Sequence, residues 1–134
     1  MINIENELFT IIATTLRNDF PGIYVSGEYV SQPPSFPAVS IVESDNAVYT
    51  AGIDSGSIEN FATVMYQVDI YSNKRIGKKE ECKNIAALID SEFARLGFTR
   101  TFLNHVQNAN EPTIYRMTGR YQGVVSKDQY VYRR

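Results

Sequence analysis

The sequence predicts an α+β fold: a mostly antiparallel sheet of about four to five strands with two helices packed on one face, in the order α-β-β-β-α-β-β. Three observations carry this reading. The N-terminal segment and the segment around Ala86 space their apolar residues three and four apart, which gives each a helix with one apolar stripe. Residues 61–71 and 113–124 alternate side-chain character with a period of two, as strands do. Two singly amphipathic helices must bury their stripes, and one face of an antiparallel sheet is a layer that accepts both.

The elements follow in chain order. Ile4, Leu8, Ile11, Ile12 and Leu16 form the apolar face of the first helix. Asn3 is placed to cap it, Glu5 and Glu7 sit where the helix dipole favours negative charge, and Pro21-Gly22 ends it. Residues 23–30 read as the first strand. Pro33, Pro34 and Pro37 then force an extended connection, and Ala38–Val42 form a short second strand. Residues 44–60 hold Gly52, Gly56, three serines and the acids Asp45, Asp54 and Glu59. This segment is either a long mobile loop or a protruding hairpin made by the flanking strands, and in both cases it stands off the body.

Residues 61–71 are the clearest strand: Ala62, Val64, Tyr66, Val68 and Ile70 share one face, and Thr63, Met65, Gln67, Asp69 and Tyr71 the other. The second helix spans about 76–96, with Cys82, Ile85, Ala86, Ile89 and Phe93 on one side and Gly97 as its stop. Two more strands, about 98–107 and 113–124, are joined by the turn residues Asn108-Ala109-Asn110-Glu111-Pro112. Residues 130–134 either fray or add an edge strand.

A length of 134 residues suits a single domain, 1–134, whose core needs no disulfide or metal to hold it. No apolar run approaches the roughly 20 residues of a membrane span, and no secretory signal is expected. The single cysteine, Cys82, excludes an internal disulfide and fits a compartment that is reducing or one where redox is irrelevant. Nine tyrosines and seven phenylalanines without a tryptophan suit half-exposed strands and interfaces, where a ring is buried and a hydroxyl stays wet.

The charge is divided along the chain. Residues 1–60 carry eight acids and one base, Arg17, for a net −7; residues 61–134 carry seven acids and twelve bases, for a net +5. Such a molecule can meet copies of itself by charge complementarity. Within the basic half, Lys74, Arg75, Lys78 and Lys79 crowd the start of the second helix, where the dipole disfavours cations. A locally unfavourable cluster points to a partner, either an acidic surface or a phosphate backbone. Glu80 and Glu81 offset part of the cost.

Bond-making chemistry has little to stand on in the sequence. His105 is the only histidine and lies in a strand, whereas Cys82 lies on an apolar helix face, where a buried thiol is inert. A zinc site needs more Cys and His than the chain owns. No phosphate-binding glycine loop or dinucleotide fingerprint appears, and the spacing of Asp45, Asp54 and Glu59 matches no calcium loop. The chain is therefore expected to be no enzyme and to use no cofactor or metal. Arg116, Arg120, Arg133 and Arg134 could line up with Tyr115 and Tyr121 into a stripe that touches DNA phosphates incidentally, without reading sequence.

The pattern of elements resembles a known family. It comprises the N-terminal helix, the strand entry Phe36-Pro37-Ala38-Val39, a long polar segment, and the strand Tyr66-Gln67-Val68-Asp69-Ile70-Tyr71-Ser72. That strand runs into Gly77-Lys78-Lys79-Glu80-Glu81 and an apolar-faced helix, and the tail is Tyr115-Arg116-Met117-Thr118-Gly119-Arg120-Tyr121. This is similar to the tail terminator, or tail completion, proteins of long-tailed bacteriophages and prophages. The resemblance implies a subunit, assembled in the host bacterial cytoplasm and located in the virion tail, that closes into a hexameric ring. That ring caps the tail tube protein, ends its polymerisation and offers a surface to the head connector protein. It implies no active site and no membrane partner.

On that view the acids Asp45, Asp54 and Glu59 contact a neighbour or a stacked partner, and Lys74, Arg75, Lys78 and Lys79 are the counterpart. Three other readings compete: another head–tail connector of the same particles, a nucleic-acid-binding sheet, and an enzyme with an unrecognised carboxylate site.

Overall fold

The computed structural model describes residues 1–48, 61–108, 111–126 and 131–132, with only the backbone of the last pair. Helix α1 spans Glu5–Asp19, strand β1 Tyr24–Ser26, β2 Ala38–Val48, β3 Phe61–Ser72, helix α2 Lys78–Arg95, β4 Thr99–Val106, β5 Tyr115–Ser126 and β6 Val131–Tyr132. The fold is α+β, as the sequence predicts. The strands lie in the order β1-β2-β3-β5-β4, and the two-residue β6 pairs with β5. Only β1 against β2 is parallel; every other pairing is antiparallel.

The register assigns the two faces. Ile41, Val68 and Gly119 lie side by side on the helix face, as do Val39, Ile70 and Met117. Leu8, Ile12 and Leu16 of α1 and Cys82, Ile85, Ile89 and Phe93 of α2 pack onto this face as one core. Phe93 stacks on Tyr121 with ring centres 4.2 Å apart. Gly97, at φ 93°, ends α2: Gly97 N–H donates to Ala94 O at 3.0 Å and Phe98 N–H to Phe93 O at 2.8 Å. That paired arrangement satisfies the last helical carbonyls and turns Phe98 back onto Phe93, 5.5 Å between ring centres.

Some boundaries differ from the sequence expectation. The first strand is three residues long, Tyr24–Ser26. The second strand continues to Val48, since the long β3 offers ladder partners down to Ala62, with a bulge between Glu43 and Asp45. Helix α1 begins at Glu5 with Ile4 as the cap residue, yet Asn3 Oδ1 still accepts the Glu5 N–H at 3.1 Å. Ile11 is 38% exposed, because it flanks a stripe centred on Ile12. Val131–Tyr132 add a short edge strand.

On the face away from the helices, Tyr29 reaches over Arg116. On this mixed face Asp69, Tyr71, Ser40 and Thr118 are buried. Asp69 accepts from Arg116 Nε at 3.0 Å, Thr118 Oγ1 at 2.6 Å and Gln67 Nε2 at 3.2 Å. Arg116 in turn lies 5.8 Å from the ring centres of both Tyr29 and Tyr71, so its cation is held between two aromatic faces.

Candidate functional site

Two groups of exposed charge, one acidic and one basic, lie at opposite ends of the sheet. Helix α1 starts beside the far end of β2. There the Glu5 carboxylate accepts the Glu43 N–H at 3.1 Å, and Asn46 Nδ2 donates to Ile2 O at 2.8 Å. Glu43 Oε1 accepts from the buried Tyr66 hydroxyl at 3.3 Å. Burial, and then the nearby Glu5, push the Glu43 carboxyl above the ordinary range. With Glu7 and Asp45 exposed beside them, this corner is acidic. Asp45 Oδ1 accepts the Asn46 N–H at 2.9 Å, and the residue is exposed. Asp54 and Glu59 lie outside the described residues; the segment that carries them leaves the sheet at Val48 and returns at Phe61.

The basic cluster sits at the other end, where β3 gives way to α2. Asp45 pairs with Met65 and the cluster begins just past Ser72, so roughly 20 Å of strand lies between them at about 3.3 Å per residue. The four cations are not equivalent. Lys74 pairs with Glu81 at 3.4 Å, and Glu81 also accepts from Ser72 Oγ at 2.7 Å. Lys78 Nζ donates to Thr113 O at 3.1 Å. Arg75 and Lys79 are exposed, with no ion-pair partner among the described residues. Glu81 thus supplies the offset that the helix dipole requires, and only part of the cluster is left for a partner.

A groove of about 880 Å³ opens between α2 and β4, lined among others by Lys79, Lys83, Asp90, Arg100, Leu103 and His105. Lys79 and Lys83 stand one turn apart on α2. Arg100 is tied to Asp90 at 3.1 Å, and Asp90 also accepts from the Tyr121 hydroxyl at 3.1 Å. His105 stacks on Tyr115 with ring centres 4.5 Å apart. The Lys79–Lys83 spacing was legible in the sequence. The part played by Leu103 and His105 was not, because it depends on β4 lying at the sheet edge.

Two arrangements considered from sequence do not form. Arg116 and Arg120 lie on the face opposite Tyr115 and Tyr121, and Tyr121 is buried, so these residues make no aromatic–basic stripe. Arg133 and Arg134 lie outside the described residues. Cys82 faces the carbonyl oxygens of Ile70 at 3.9 Å and Tyr115 at 3.7 Å, and burial pushes its thiol up to about 12. At neutral pH it stays protonated.

Among the described residues no cluster of three or more His, Cys, Asp or Glu side chains is placed to hold a metal, and no helix is long and apolar enough to cross a membrane. No protein-family model matches the chain, and no curated protein matches it either.

Proposed function

We propose that this chain is a structural virion protein, a tail terminator of a long-tailed phage or prophage. It closes into a ring, ideally of six copies, that caps the tail tube, ends its polymerisation and presents a surface to the head connector. It is assembled in the bacterial cytoplasm, ends in the virion tail, and does its work by surface complementarity, without cofactor or bond-making step.

The observation that carries the reading is the separation of charge. A closed ring needs two different patches on each subunit, so that one copy's first patch meets the next copy's second. Glu7 and Asp45 lie at one end of the sheet, and Arg75 and Lys79 at the other. They are too far apart to neutralise each other within one molecule, given screening over about 8–10 Å at physiological salt. Matched patches of opposite sign also speed encounter and reject wrong orientations.

Sedimentation velocity across protein concentration, with and without purified tail tubes, tests the reading. The wild-type chain should form a ring-sized species or cap the tubes. The R75E/K79E double variant should do neither, while its circular dichroism is unchanged. A wild-type chain that fails both assays sinks the tail terminator reading. A double variant that assembles like the wild type sinks the charge assignment alone.

A further inference from the structure

We propose that the outer edge of β4 is a docking strip for an extended acidic segment of another protein, which adds to the sheet as a further antiparallel or parallel strand. It shares Lys79 with the basic patch proposed for ring formation, but it rests on the β4 edge and Lys83, which that reading does not use.

The two long edges of the sheet are treated differently. Beyond β1, the outer edge of β2 is approached by N-terminal residues: the Glu5 carboxylate accepts the Glu43 N–H, and the Asn46 side chain donates to Ile2 O. Strand β4 has no strand on its outer side among the described residues. Native proteins blunt such edges with bulges, prolines or lysines. Here a bulge lies between Arg100 and Phe102, but Phe102-Leu103-Asn104-His105-Val106 runs on regularly with neither proline nor lysine. The His105 N–H turns away from the ladder: its acceptor is the side chain of its own neighbour, Asn104 Oδ1, at 2.8 Å. A side-chain carbonyl thus occupies the place that an incoming strand's backbone carbonyl would take. Since donors alternate along a strand, the Leu103 N–H is turned the same way.

The chemistry of the partner follows from what borders this edge. On the helix face the incoming strand would run along the groove past Lys79 and Lys83, whose ammonium groups have no acidic partner among the described residues. On the other face it would meet Phe102, 38% exposed, with the Arg120 guanidinium 5.5 Å from its ring centre. A strand's side chains alternate between faces. The segment that fits therefore places acids toward α2 and apolar residues over Phe102. Backbone pairing supplies the affinity, and the flanking charges the selectivity.

A fluorescein-labelled nonapeptide of alternating Glu and Val, with a Lys/Val peptide as control, is the probe. Fluorescence anisotropy should show saturable binding of the Glu/Val peptide only, and hydrogen exchange should slow at Leu103 and His105. K79E/K83E should weaken binding at least tenfold. H105P should abolish it, because the outward N–H is gone, while an edge strand tolerates the proline. Should H105P fail to fold, the lysine pair and the exchange map still decide. The proposal is overturned by no binding to the wild type, by equal binding of the Lys/Val peptide, by protection elsewhere, or by unchanged affinity in K79E/K83E. It is also overturned if H105P instead dissolves a wild-type oligomer, since the edge would then serve a second copy of this chain.

Discussion

Asp69 and Arg116 form a buried pair across the β3–β5 ladder: Arg116 Nη2 lies 2.9 Å from Asp69 Oδ1, with the two side chains 17% and 2% exposed. Thr118 and Gln67 complete the carboxylate's hydrogen bonds, so the charge is buried together with its partners. Removing one member of such a pair leaves the other uncompensated, at about 3–5 kcal/mol. Asp69→Ala should therefore lower the urea midpoint sharply, with little change in the denaturant slope. A loss near the 0–1 kcal/mol of a surface pair would refute this account of the site.

The acidic corner should make stability depend on pH. Glu43 has its carboxyl raised in the folded state, first by burial and second by Glu5. A carboxyl raised on folding holds its proton more tightly in the native state. Its contribution is fully present below the unfolded value near 4.5 and is lost as pH rises through the folded value. Glu43→Gln should therefore stabilise the protein more at pH 7 than at pH 4, by thermal denaturation at both. An equal effect at the two pH values would contradict the assignment.

Gly123 has a packing reason to lack a side chain. A Cβ there would come within 2.9 Å of the Phe98 ring, which edge-on contacts with Phe93 and Tyr66 hold in place. Gly123→Ala should cost about 1–3 kcal/mol, against the small gain that alanine brings to an ordinary strand position. The double variant G123A/F98L, measured by the same urea titration, should recover part of the loss.

Periodicity made the helices, the long strands and the helix-facing core legible, because each depends on neighbours within one or two turns or pleats. What stayed hidden was non-local. In the sequence Asp69 is one member of a mixed strand face; its partner Arg116 stands forty-seven residues on, and only the fold lays the two together. Lys74, Arg75, Lys78 and Lys79 read as one cluster because they are close in sequence. Glu81 and the Thr113 carbonyl divide them, the latter arriving from the turn before β5. The acidic end of β2 looked loose because Ser44, Asp45 and Asn46 have weak strand preference, yet twelve residues of β3 carry the ladder past them.

The covered margin at Glu43 and Asn46 has a further consequence. Sheets polymerise into fibrils when each molecule can both offer and accept a strand, passing the template along without end. Here the Glu43 N–H on one margin is already taken by the Glu5 carboxylate of the same chain, so an added strand would have to displace that contact before it could pair there.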